Sequence, residues 1–182
     1  MIYSVMENKK QIIIAAITFS LFSANSFALD QVPHINYDVR KISSTTAEDL
    51  NRVFAGKLAG KGHVFIEAGN LYGVDPLFLA GVAMHESWNG KSNALNYKNN
   101  AMGIFARGGV DMRKFDKVED SIFESAKIIS KGKYYYNDGR YTLGQIQERY
   151  CPVDAKNDPK KLNKNWRRGV IGYMIEVYKN LN

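Results

Sequence analysis

The segment Asp75-Pro76-Leu77-Phe78-Leu79-Ala80-Gly81-Val82-Ala83-Met84-His85-Glu86-Ser87 decides the fold. An aspartate followed by proline reads as an N-cap and a first helical position. The carboxylate can accept from the free N–H groups of the first turn, and proline lacks the N–H that would go unpaired there. From Leu77 to Met84 the side chains are apolar nearly all round, which predicts a helix buried inside a core. Glu86 stands four residues after Val82 and three after Ala83, so it shares a face with residues that belong inside. A carboxylate there is costly unless it is hydrogen-bonded or kept at a cleft. If the helix instead frays at His85, Glu86 is simply exposed, and periodicity leaves the two readings balanced.

On the N-terminal side, "TTAEDL" offers Thr45 as an N-cap with Glu48 three residues on, and Leu50, Phe54 and Leu58 then share a helical face closed by Gly60 and Gly62. A second helix fits "HVFIEAGNLYG", with Gly73 as its stop. On the C-terminal side, "ESWNGKSNALNYKNNAMG" is rich in Asn, Gly and Ser and predicts a structured loop carrying polar groups. Val118 to Ser130 predicts a helix with Val118, Ile122, Ala126 and Ile129 inward and acids near its positive end. Asn137-Asp138-Gly139 is a turn, a short helix starts at Thr142, and "CPVDAKNDPKKLNKN" is a breaker-rich connection. Trp166, Val170, Tyr173, Met174, Val177 and Leu181 line a closing helix. The sum is five or six helices with little strand, an all-α or mainly α domain.

A chain of 182 residues with 45% hydrophobic content is the size of one domain. Lys9 and Lys10, the apolar run "QIIIAAITFSLF" and Ser26-Phe27-Ala28 have the order of a signal peptide over residues 1–28. The run of about 12 residues is short of the roughly 20 that span a bilayer, so export without stable membrane insertion is expected. Met6 precedes the lysines and is an alternative start to Met1. Residues 29–44, interrupted by Pro33, read as an arm or linker, and residues 45–182 as the folded domain. Cys151 is the only cysteine after the signal segment, which excludes an intramolecular disulfide. The net charge of +7 favours anionic partners, but the basic residues are scattered and carry no nucleic-acid-reading motif, so no nucleic-acid partner is expected.

His34, His63 and His85 lack metal-ligand spacing, and no metal or other cofactor is expected. Ser87 and Ser92 sit in no nucleophile motif. What remains is a carboxylate at a cleft edge, the group that glycoside cleavage needs when an apolar setting keeps it protonated.

The stretch "LYGVDPLFLAGVAMHESWNGKSNALNYKNNAMGIFA", continued by "FDKVEDSIFESAKII", "YTLGQIQERYCP" and "NWRRGV", resembles the autolysin-type, peptidoglycan-cleaving endo-β-N-acetylglucosaminidase family over roughly residues 45–178. The resemblance implies a lysozyme-like helical domain with a substrate cleft and at most a small, reduced β-hairpin. It implies that Glu86 is the general acid, that Asn100 and Gly103 shape the cleft beside it, and that Met102, Ile104 and Phe105 anchor the turn. Many members carry a longer hairpin with a second acidic residue. Here only "ARGGV" separates Phe105 from Asp111, which makes Asp111 the candidate second carboxylate.

A tyrosine helper is expected from Tyr134, Tyr135 and Tyr136 or from Tyr150. Ser92 and Trp88 are further substrate-binding candidates, whereas Trp166 reads as core. The implied function is cleavage of the β-1,4 bond of the N-acetylglucosamine/N-acetylmuramic acid polymer. The alternatives are a lytic transglycosylase or muramidase using the same glutamate, and a non-catalytic wall-glycan-binding or assembly protein. The expected setting is the periplasm or the cell wall, as a monomer on peptidoglycan strands, with delivery by a wall-spanning machine as one option.

Overall fold

The computed structural model describes residues 32–109, 111–156 and 158–181, so the expected signal segment lies outside the described residues. Seven α-helices are present among them: α1 (Ala47–Val53), α2 (Gly62–Tyr72), α3 (Pro76–Ser87), α4 (Asn93–Lys98), α5 (Val118–Lys131), α6 (Leu143–Tyr150) and α7 (Trp166–Tyr178). There is no sheet among the described residues. Isolated antiparallel bridges join Asp38 to Thr142 and Phe105 to Met112. No helix among the described residues is long and apolar enough to cross a membrane.

Helix α3 lies at the centre, with ten of its twelve residues buried. It packs most extensively against α7, while α2 bridges α3, α5 and α1. The α3–α7 approach is close because position 81 is glycine. A Cβ there would stand 2.6 Å from the Met174 side chain and 3.1 Å from the Val170 carbonyl oxygen. Burying an apolar helix on all sides in this way is the main stabilising term of the fold.

Several expectations shift by a residue or more, each for a local reason. The α1 capping box uses Thr46 and Asp49 rather than Thr45 and Glu48. Asp49 accepts from the Thr46 backbone N–H at 3.0 Å, while Thr45 is buried and accepts from the Ser43 hydroxyl. Helix α1 also stops at Val53, short of Leu58. The Asn89 side chain takes the Val53 carbonyl at 2.8 Å and the Ala55 N–H at 3.1 Å, replacing helix partners with a link to the end of α3. Gly62 opens α2 instead of closing α1. The expected loop after Glu86 contains a helix of its own, α4, capped by the Ser92 hydroxyl accepting from Leu95 N–H and anchored by the buried Leu95. Six residues with one buried apolar side chain give too little periodicity to be read from sequence.

The N-terminal arm is tied to α3 through Asp75. Its carboxylate accepts from the Tyr37 hydroxyl at 2.8 Å, from the Ser43 N–H at 2.9 Å and hydroxyl at 2.6 Å, and from the Phe78 N–H at 3.1 Å. Tyr37 and Val39 of the arm are buried. Replacing Asp75 with alanine orphans several buried donors as well as the helix cap. We expect a loss of about 3–5 kcal/mol in urea denaturation. A loss no larger than that of an ordinary N-cap, about 1 kcal/mol, would contradict this account.

Candidate active site

The end of α3 is ordered, which answers whether Glu86 frays into solvent. The Ser87 hydroxyl donates to the Ala83 carbonyl at 2.6 Å and accepts from the Gly90 N–H at 2.9 Å. Trp88 and Asn89 then take left-handed backbone angles, with φ of 51° and 48°, and turn the chain away. Glu86 is therefore held in the last full turn, facing the crossing with α7.

Three elements converge on its carboxyl. From the first turn of α7, the buried Trp166 donates its indole N–H to Glu86 Oε1 at 2.8 Å. From the end of α6, Tyr150 packs its ring on Trp166 with centroids 5.1 Å apart, donates its hydroxyl to the Met102 carbonyl, and lies within hydrogen-bonding reach of Glu86. From the turn after α4, Gly103 comes so close that a Cβ would stand 2.5 Å from Glu86 Oε2, and its φ of +64° also favours glycine. Burial raises the Glu86 carboxyl above its ordinary value of 4.5, while the Trp166 and Tyr150 hydrogen bonds pull it back less strongly. The setting favours a protonated carboxyl that can still be steadied once it ionises.

Glu86 stands between two cavities. One, of about 400 Å³, is lined by Gly103, Ile104, Phe105, Met112, Tyr135 and Tyr150 together with Ile128, Cys151, Pro152 and Asn163. The other, of about 350 Å³, is lined by Trp88, Lys91, Ser92 and Asn93. Among the described residues, Glu86 is the only carboxylate lining either. Larger cavities elsewhere on the surface do not reach Glu86.

The sequence candidates separate accordingly. Gly103, Phe105, Tyr135 and Tyr150 line the first cavity with Glu86, and Trp88 and Ser92 line the second. Trp88 is 76% exposed, an unusual position for an indole. Asn100 is buried and its amide is spent on backbone: it donates to the Ile104 and Arg113 carbonyls at 2.7 and 2.9 Å and accepts from the Ile104 N–H at 3.1 Å. It fastens the turn that presents Gly103 and has no amide proton left for a ligand. Asp111 is fully exposed at its carboxylate, 2.5 Å from Lys98 Nζ, and is not among the cleft-lining residues. The Lys98 ammonium and the Met112 N–H hold its pKa below the ordinary range, the opposite of what a proton carrier needs.

Tyr134 lies beside the Arg149 guanidinium, 4.1 Å from its ring centre, outside the cavity lining. Tyr136 donates to the carbonyls of Val39 and Gly73. The hairpin is reduced to the Phe105–Met112 bridge, with Ala106 N–H to Asp111 carbonyl at 2.8 Å and Arg113 N–H to Ile104 carbonyl at 2.8 Å.

Sequence reasoning missed Trp166 as a site residue, although its signal was present. A buried indole N–H needs an acceptor, and the apolar stripe that carries Trp166 offers none of its own. Cys151 was also missed as a cleft residue; burial pushes its thiol up to about 12, so it is neutral there. Among the described residues no group of three His, Cys, Asp or Glu side chains is placed to hold a metal ion.

Comparison with known proteins places this arrangement. The model of the glucosaminidase family, described as mannosyl-glycoprotein endo-beta-N-acetylglucosaminidase, matches residues 62–179, which hold Glu86, Gly103, Tyr150 and Trp166. Two Streptococcus pneumoniae proteins described as "Putative endo-beta-N-acetylglucosaminidase" are 28% identical over 159 residues, 82% of this chain. The chain spans only 23% and 21% of their lengths. The fold is that of S. aureus autolysin E, solved with the muropeptide NAM-L-Ala-D-iGlu and, as a catalytic glutamate-to-alanine mutant, with the disaccharide NAG-NAM. Each matches with a TM-score of 0.61 and 22% identity, over 85% of this chain and 77% and 78% of theirs. A family match over well more than half of the chain, containing Glu86 with Gly103, Tyr150 and Trp166, means that this protein belongs to the glucosaminidase family.

Proposed function

We propose that the protein is an exported peptidoglycan hydrolase, an endo-β-N-acetylglucosaminidase that cleaves the β-1,4 glycosidic bond with Glu86 as general acid. The observation that carries this reading is a half-buried carboxyl, the only one among the described residues lining either of the two cavities it stands between. A glycan strand running from one cavity to the other passes its bridging oxygen over Glu86. The disaccharide and muropeptide complexes of the S. aureus fold neighbour support the same class of substrate. The charged, apolar and small-residue order of the first 28 residues supports export to the periplasm or the cell wall.

Glu86 gives its proton to the leaving oxygen, and the Trp166 N–H at 2.8 Å steadies the carboxylate that forms. With no second carboxylate lining either cavity among the described residues, the acetamido oxygen of the sugar is the available nucleophile. It closes an oxazolinium ring on the anomeric carbon as the leaving group departs. The Glu86 carboxylate then takes a proton from water, whose oxygen opens the ring to a reducing sugar. The same geometry permits attack by the 6-hydroxyl of the sugar, the transglycosylase outcome. A reducing N-acetylglucosamine end identifies the first course and an anhydro-muramic end the second, while glycan binding without any release would leave only the non-catalytic reading.

Replacing Glu86 with glutamine is expected to lower fragment release from peptidoglycan by about 10²–10⁴-fold. Retained release would sink the assignment. The variant also reports on burial. Because the folded-state carboxyl is raised, its proton stabilises wild type fully below 4.5, and that stabilisation is lost as pH rises through the folded value. The stability of Glu86→Gln relative to wild type, measured by urea denaturation, should therefore grow across that window and then level off.

Trp166→Phe removes the strongest hydrogen bond holding the Glu86 carboxyl down. The alkaline limb of the kcat/KM profile should move to higher pH, and a limb that stays or falls would contradict the role given to Trp166. Gly103→Ala meets both a left-handed backbone penalty of about 1–2 kcal/mol and the Glu86 carboxyl itself. It should fold and yet lose about 10²-fold in kcat; wild-type turnover in that variant would show that the close approach is immaterial.

A further inference from the structure

Beyond the cleft, the densest unexplained feature is cationic. Lys164, Arg167 and Arg168 line a groove of about 650 Å³ together with Pro33, His34, Ile35, Asn165 and Ile171, and no acidic residue among the described residues lines it. All three cations are exposed. Arg40, Arg113 and Arg140 each meet a carboxylate, whereas these three make no ion pair among the described residues. They also stand in and just before the first turn of α7, which contains no acid. Positive charges at that end of a helix oppose its dipole and one another, so the fold gains nothing from them.

The groove lies one cavity away from the Glu86 cleft. Pro152 lines both the cleft and an intermediate cavity of about 430 Å³, which shares Ile35 and Arg167 with the cationic groove and also carries Glu148 and Asp154, carboxylates already paired with Arg140 and Lys161. Trp166, which holds Glu86, directly precedes Arg167 and Arg168, so the cations begin within one helical turn, about 5.4 Å of rise, of the residue that holds the acid.

We propose that this groove binds the carboxylates of the peptide side chains borne by the glycan strand, making the protein selective for peptide-bearing over bare glycan. The inference rests on the glycan substrate proposed above. A strand of N-acetylated sugars whose lactyl groups are in amide linkage is uncharged, so the anions must come from its peptides. The apolar side chains of Pro33, Ile35 and Ile171 in the same lining suit the methyl groups of short peptide residues, and the unpaired guanidinium groups suit carboxylates.

The test measures binding in the Glu86→Gln background, where strands stay intact, to soluble peptide-bearing glycan and to the same glycan stripped of peptide by an amidase. Preference for the peptide-bearing form should be about tenfold at low salt and fall as salt rises. Lys164→Gln/Arg168→Gln should reduce that preference to about twofold without changing affinity for bare glycan, while Lys164→Arg/Arg168→Lys should retain it. Equal affinity for both glycans, or a preference untouched by the double neutralisation, overturns the proposal. So does a loss confined to phosphatidylglycerol vesicles, which would make the groove a membrane-facing surface. Fragment release by the unmutated chain is read separately. Peptide preference without release defeats the hydrolase reading alone, and release without peptide preference defeats this inference alone.

Discussion

The hydrogen bond from the Trp166 indole to the Glu86 carboxyl sits where the two most closely packed helices of the domain cross. Its existence depends on α3 being buried almost all round and on α7 approaching closely at Gly81. A carboxyl at the end of such a helix is held away from water and driven toward its neutral form, so it needs partners that can also steady the anion. Trp166 meets that need by donating its indole N–H, and Tyr150, whose hydroxyl donates to the Met102 carbonyl, packs its ring on Trp166 at 5.1 Å. The core and the site therefore share side chains at this crossing.

The polar loop after α3 works mainly as a brace. Asn89 ties it to the end of α1, and Asn99 donates to the Phe115 and Asp116 carbonyls while accepting from Lys57. Asn100 closes the turn beneath Ile104. The Ser121 hydroxyl accepts from the Ala101 N–H and donates to the Val118 carbonyl, joining the turn to α5. These amides and hydroxyls spend most of their hydrogen-bonding capacity on backbone. The surfaces left to face a ligand are largely apolar and aromatic: Phe105, Met112, Tyr135 and the exposed ring of Trp88. A turn braced in this way can carry Gly103 against the Glu86 carboxyl, where a Cβ would stand 2.5 Å from Oε2, without drifting.

Shortening the hairpin to one bridge has an electrostatic consequence. The carboxylate that the short loop does carry, on Asp111, is drawn to Lys98 at the surface and remains a solvated anion. Among the described residues that leaves Glu86 as the one carboxyl lining the two cavities. The cationic groove beyond Pro152 extends the same logic, since charge absent from the cleft is concentrated where a charged part of a ligand could lie.

Local rules suffice for much of this protein. Asp75-Pro76 marked the start of α3, Gly73 the end of α2, and the apolar run the burial of the central helix, because caps, stops and apolar periodicity act over only a few residues. Resemblance over a long stretch pointed to Glu86, and the short segment between Phe105 and Asp111 pointed to a reduced hairpin. The sequence could not reveal that α1 would stop at Val53, because the Asn89 side chain that stops it lies 36 residues away. Nor could it tell that Asn100 serves the backbone, that Asp111 pairs outward, or that Tyr150 rather than Tyr134 or Tyr136 stands at the acid. Spacing along the chain fixes which residues share a helix face. Which group meets Glu86 depends on how α3, α6, α7 and the Gly103 turn pack, and only the tertiary structure brings those distant segments within hydrogen-bonding range.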